Sequence, residues 1–146
     1  MRGAELFTVS VQLSSINAER LSENLPPKIQ FNVNLALPAS NPYRRNNQYL
    51  IPFTFTVSSM PPVVQIVLKG NAIVITTNKN ELEKLEKDIR NKKIPPPIVQ
   101  AVFTNMLAES ILLTRSLGVP PPLPGLPQIQ PMQSRDKIGQ QPSTVI

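Results

Sequence analysis

Residues Ile51-Pro-Phe-Thr-Phe-Thr-Val-Ser58 and Val63-Val-Gln-Ile-Val-Leu-Lys-Gly-Asn-Ala-Ile-Val-Ile75 lie on either side of a turn at Met60-Pro-Pro62. In the first run, Ile51, Phe53, Phe55 and Val57 alternate with Pro52, Thr54, Thr56 and Ser58. Period two is the mark of a strand with one buried face, and it predicts a strand over 49–58. Pro52 has no N–H for a ladder, so this strand is expected at an edge or to begin pairing after Pro52. The second run is apolar on both faces and is interrupted at Gly70-Asn71, where glycine predicts a bulge or a tight turn.

Upstream, the same period recurs twice. Phe7, Val9, Val11 and Leu13 alternate with polar residues over 6–15, and the pattern then fades from Ile16 to Pro26-Pro27. Ile29, Phe31, Val33, Leu35 and Leu37 alternate with Gln30, Asn32, Asn34 and Ala36, predicting a strand over 28–37. Residues 38–48 read as a polar connection rich in Asn and Pro, residues that suit turns. Four consecutive strands with short connections favour an antiparallel meander, because parallel pairing needs crossovers.

Downstream the period changes. Asn78 or Asn80 can cap a helix over 81–92, with Leu82, Leu85 and Ile89 on one face and Glu83–Lys87 and Glu86–Arg90 as i,i+4 pairs. Pro95-Pro96-Pro97 ends it, and Pro97 suits the first turn of a second helix over 98–117. There Val99, Val102, Met106, Leu113 and Leu117 form one stripe and Phe103, Leu107 and Ile111 an adjoining one. Polar residues are scattered around this helix. A helix with one stripe on a sheet and a second flank on a partner chain has this character. Gly118 is its expected C-cap. The Pro/Leu-rich run 119–127 is expected to be extended and to lie on protein. The fold class is therefore α+β, a four-stranded antiparallel sheet against a long helix. Residues 1–130 make one domain and residues 131–146 a polar tail expected to be disordered.

The 146-residue chain has no Cys and no His, which excludes disulfides, thiolate nucleophiles, His-based triads and His or Cys metal sites. Its five glycines form no G-x-G-x-x-G and no phosphate-binding loop. Glu109 is a lone acid on an apolar helix, and Glu81, Glu83, Glu86 and Asp88 interleave with cations as on a solvated helix face. No catalyst, metal or cofactor is read from this chain. Phe7 onward alternates, unlike a signal-peptide core, and Gln100, Asn105, Glu109 and Arg115 weigh against a membrane span, so a cytoplasmic protein is expected. Net charge is +6. That permits anionic partners, but Arg44-Arg45 and Lys92-Lys93 lack interleaved aromatics for base stacking.

Three stretches resemble the SecB family of export chaperones: residues 8–16 with 28–37, the hairpin 53–75 with its glycine, and 97–127, a proline-led helix with the turn Arg115-Ser-Leu-Gly118 and a Pro/Leu-rich run. The resemblance spans roughly residues 6–128 and rests on pattern more than identity. It implies a two-layer sheet-and-helix fold, homo-oligomers built from dimers, and an ATP-independent holdase for unfolded or pre-export polypeptides, without cofactor. This chain departs from the family in being basic where the family's docking face for its export ATPase is acidic. It also lacks a counterpart of the family's short final helix.

Client-binding candidates are Tyr43, Tyr49 and Ile51 beside the polar loop, and Leu117, Val119, Leu123 and Leu126 around the proline-rich run. For each, packing within its own domain or at a subunit interface is the alternative. Phe103, Leu107, Ile111 and Leu112 are the candidate oligomer interface, the alternative being cover from the chain's own helix 81–92 and its proline-rich run. The runner-up functions are a basic nucleic-acid- or ribosome-associated protein, and a structural subunit of a larger assembly.

Overall fold

A computed structural model describes residues 7–122. Five strands and two helices follow in the order β1 (Thr8–Arg20), β2 (Gln30–Ala36), β3 (Tyr43–Arg45), β4 (Gln48–Met60), β5 (Val64–Ile75), α1 (Lys79–Arg90) and α2 (Pro96–Leu117). The expected α+β class holds, with an all-antiparallel sheet ordered β1-β5-β4-β2 and β3 added to the far end of β4. The expected strand count of four is corrected to five. β3 lies inside the polar connection and is too short to carry a periodic signal. It turns into β4 through Asn46, which takes a positive φ of 57°, a conformation asparagine tolerates better than most residues.

The meander is also corrected. β1 pairs with β5, not with β2. The connection over 21–29 crosses the end of the β4–β5 hairpin, and Leu21 N–H donates to the carbonyl of Val63 at 2.6 Å on the way. In that hairpin, Ser59 does work that the prolines cannot. Pro61 and Pro62 have no N–H, and the Ser59 hydroxyl accepts from Val63 N at 2.8 Å while donating to the Pro61 carbonyl at 2.8 Å.

Pro52 sits on a central strand, contrary to the edge placement expected from its missing donor. Its carbonyl accepts from Ala39 N at 2.8 Å. N–H and C=O of one strand residue face the same neighbour, so the missing donor points to the interval where β2 has ended, at Thr54, and β3 has not begun, at Leu50. The ladder to β5 is continuous through Pro52.

Tyr49, Ile51, Phe53, Phe55 and Val57 of β4 lie opposite Val74, Ala72, Gly70, Leu68 and Ile66 of β5, and this apolar face is the core. Gly70 is the closest approach. A Cβ there would meet Gln12 of β1 and come within 2.9 Å of Leu13 Cα. β1 is bulged between Leu13 and Ser15 at this point. The glycine therefore marks a bulge, carried by the neighbouring strand, and β5 runs on without a turn. The extra residue rephases β1: Val9, Val11 and Leu13 face the core before it, Ala18 and Arg20 after it. This is why the period-two signal fades at Ile16 although the strand continues to Arg20.

The rephased Arg20 reaches α2. Its guanidinium donates to the carbonyls of Ser22 at 2.8 Å, Glu23 at 2.8 Å and Leu117 at 3.0 Å. The last contact places a cation at the negative end of the helix. Gly118 caps α2 with φ 71°. α2 lies over β1, β5 and β4, and its fully buried row is Ile98, Val102, Met106, Ser110 and Thr114. Val99, Leu113 and Leu117 of the expected stripe are only half-buried. The buried hydroxyls are satisfied within the helix, Ser110 Oγ donating to Met106 O at 2.9 Å and Thr114 Oγ1 to Ser110 O at 3.0 Å. They could therefore pack as small core residues, which a polarity pattern does not reveal.

Gly70→Ala is expected to destabilise the protein by about 1–3 kcal/mol, the range for forcing extra volume into a packed site. Urea melts check this, read as a lower midpoint with an unchanged slope.

Candidate functional site

The loop over 38–42 leaves β2 and returns to β3 alongside α1. Between them opens a cleft of about 820 Å³ lined by Leu37, Pro38, Tyr43, Arg44, Tyr49, Glu86, Ile89, Arg90, Lys92 and Ile94, among others. Each wall has a local cause. Asn78 caps α1 by accepting from Asn80 N at 2.9 Å and Glu81 N at 3.2 Å, which starts the helix at Lys79, two residues before the expected boundary. With that start, Leu82, Leu85 and Ile89 are buried and Glu86 comes to β3. The Arg44 guanidinium grips Glu86 with two parallel bonds of 3.1 and 3.0 Å. It is the only ion pair among the described residues. Because both groups are partly exposed, it acts more to locate α1 against β3 than as a large source of stability.

α1 ends in a Schellman motif: Lys92 N donates to Ile89 O and Lys93 N to Asp88 O, both at 2.8 Å. The left-handed position of this motif belongs to Lys92, with φ 64°, where glycine is the usual occupant. Lys92 and Arg90 line the cleft and make no ion pair among the described residues.

Tyr49 is also part of the lining and is 7% exposed. Burial pushes its phenol above the ordinary tyrosine range, Glu86 adds to the rise, and Arg90 and Arg44 oppose it. No residue of the described chain hydrogen-bonds its hydroxyl, although buried tyrosines usually find a partner. The phenol is a neutral donor at physiological pH.

The sequence candidates divide accordingly. Tyr43 and Tyr49 both border the cleft, but Tyr43 is paired with Leu50 and Arg44 with Tyr49, so the two tyrosines belong to opposite faces of the ladder. Ile51 is 0% exposed and Val119 4% exposed. Both are core residues and present nothing to a client, a correction to their selection as surface. Ile51 belongs to the buried face of β4, and Val119 folds back after Gly118 with its N–H on Thr114 O at 2.9 Å. Pro122 is buried too, so the start of the proline-rich run lies on protein as expected. Leu117 is half-buried. Leu123 and Leu126, like the tail over 131–146, lie outside the described residues.

On α2, Phe103 is half-buried and its ring meets Phe55 edge-on, with centroids 5.8 Å apart. Leu107 and Ile111 are half-buried and Leu112 is 55% exposed. Ile16, paired with Leu68 and so on the helix side of edge strand β1, is 54% exposed. α2 is long and apolar enough to cross a membrane by length and composition, yet its buried row packs on the sheet.

The residues missed from sequence are Leu37, Glu86, Ile89, Arg90, Lys92 and Ile94. From sequence Arg90 reads as the i,i+4 partner of Glu86, which pairs with Arg44 instead, and Lys92 as a helix-end charge; only the return of the loop over 38–42 turns them into a lining. Among the described residues no cluster of Asp or Glu could hold a metal ion. The arrangement offers an apolar floor, a phenol donor without a protein acceptor among the described residues and two uncommitted cations: equipment for binding. No family model, curated protein or solved structure matches this chain.

Tyr49→Phe is expected to leave stability at pH 7 unchanged within about 1 kcal/mol, since it removes a hydroxyl without a protein partner among the described residues. In the wild type, the raised phenol contributes stability fully present below about pH 10 and lost as pH rises through the folded value. Thermal melts from neutral to strongly alkaline pH check both, the variant showing a smaller alkaline loss.

Proposed function

We propose that this protein is an ATP-independent holdase that binds extended apolar segments of unfolded or pre-export polypeptides in the cytoplasm and works as a homo-oligomer. The observation that carries this reading is the open cleft between the 38–42 loop and α1, where half-buried Leu37 and Ile94 give an apolar lining above the core residues Tyr49 and Ile89. An open groove with apolar walls and a polar rim suits a chain that must be held and then released. Tyr43, at its border, and Leu117, near the start of the proline-rich run, remain the surface candidates among the described residues. The SecB-like reading belongs here as well. It is supported by Gly70 in the last strand against a bulge, by the proline-led α2 and by the left-handed Gly118 that ends it.

The oligomer is proposed to form through the outer flank of α2, Leu107, Ile111 and Leu112, with Ile16 beside the β1 edge. Leu112 and Ile16 are large apolar side chains left in solvent, and β1 is a long edge strand with charges only at Glu19 and Arg20. Such edges invite pairing when uncovered. Phe103 contributes less, because its ring is engaged by Phe55.

A substoichiometric to equimolar amount of the protein is expected to suppress aggregation of a chemically unfolded client without ATP, measured by light scattering. Steeply salt-dependent RNA binding without client protection would overturn the reading in favour of a nucleic-acid-associated protein. In sedimentation velocity the wild type is expected to associate and Leu112→Glu to run as a monomer. The melting transition of Leu112→Glu should stay within about 0.5 kcal/mol, as for a surface change. A wild type that stays monomeric at all concentrations would refute the oligomer.

A further inference from the structure

We propose that the cleft selects acidic segments: Arg90 and Lys92 grip a carboxylate of the bound chain while Leu37 and Ile94 hold an adjacent apolar side chain. This rests on the polypeptide-holding reading and names the kind of segment that the site takes.

The charge balance of the lining is the main argument. Arg44, Arg90 and Lys92 face the cleft against a single carboxylate, Glu86, and Arg44 already occupies both oxygens of that carboxylate. Arg90 and Lys92 are left without an ion-pair partner among the described residues. A carboxylate brought to them makes charge-assisted hydrogen bonds, stronger than those between neutral groups. Lys92 adds a second argument. Its φ of 64° is a conformation that glycine adopts without cost. A lysine there carries backbone strain and sets a cation at the rim. Tyr49 is a third, a hydroxyl donor on the lining with no protein acceptor among the described residues.

Two other occupants fit less well. The chain's own segment over 123–146 carries Arg135 and Lys137 against Asp136 and so does not offer the opposite charge. RNA offers phosphates, but the cleft gives its bases a single exposed ring, Tyr43, because Tyr49 is almost wholly buried.

The test uses the full chain and three short peptides with one Leu/Ile-rich centre flanked by Glu, Gln or Lys, followed by anisotropy of an uncharged dye at low and moderate salt. The Glu-flanked peptide is expected to bind about tenfold more tightly than the Gln-flanked one, the scale of one good charge-assisted contact. Arg90→Gln with Lys92→Gln should abolish that preference. Removing the same charge elsewhere, with Lys28→Gln and Lys69→Gln, should preserve it. Lys28 precedes β2 whereas the cleft begins after it, and Lys69 lies on the opposite sheet face with Thr54. Lys92→Gly should raise the melting temperature while weakening the preference, whereas a purely structural Lys92 would leave binding unmoved. Equal binding of the three peptides, or preference for the Lys-flanked one, in a protein that still protects an unfolded client would overturn the acidic selection and leave the holdase reading standing. Displacement of the Glu-flanked peptide by an RNA oligonucleotide at low salt only, without client protection, would overturn both.

Discussion

The pairing of β4 with β5 stacks Tyr49, Ile51, Phe53, Phe55 and Val57 across from Val74, Ala72, Gly70, Leu68 and Ile66, and the remaining elements take their places from that ladder. β2 and β1 add to its two sides, and both helices lay their buried residues on its apolar face. Within it, Gly70 is the point where backbone meets backbone. The bulge opposite it turns the second half of β1 over, and Arg20 thereby faces the C-terminus of α2. One missing side chain in β5 thus bears on which residue of β1 meets the C-terminus of α2.

The same economy builds the cleft. Pro52 can sit mid-sheet only because its donorless side faces the interval between β2 and β3. That interval is where the chain leaves the sheet as the 38–42 loop. The departure opens a space between loop and α1, and Arg44 with Glu86 ties the two walls together. Arg90 and Lys92 then stand on the rim because α1 stops where it does, by a Schellman turn with a lysine in the left-handed position. The binding character proposed for the protein follows from these backbone events more than from any sequence motif.

Much of the architecture was legible beforehand. Period two marked β1, β2 and β4, a run apolar on both faces marked β5, the change of period marked both helices, and Asn78, the proline run and Gly118 marked their ends. The boundaries moved by a few residues, as at α1. The misreadings share a cause. A meander was expected because short connections are local, but β1 gains in β5 a neighbour whose core-facing residues are all apolar or glycine. Ser110 and Thr114 read as scattered polarity, yet their hydroxyls bond back to their own helix and they pack in the core. Ile51 and Val119 read as surface because they sit beside a loop and a proline run, whereas burial is decided by which face of an element they occupy.

By itself, then, the sequence determined the α+β class, the helix caps and the absence of imidazole and thiol chemistry. These depend on local propensity, on periodicity and on which side chains exist at all. Only the tertiary structure decided the strand order, the phase of β1 beyond its bulge and the meeting of Arg44, Tyr49, Glu86, Arg90 and Lys92 around one cleft. Those outcomes are set by contacts between residues far apart in the chain, where one backbone approaching another selects a register that no single segment encodes.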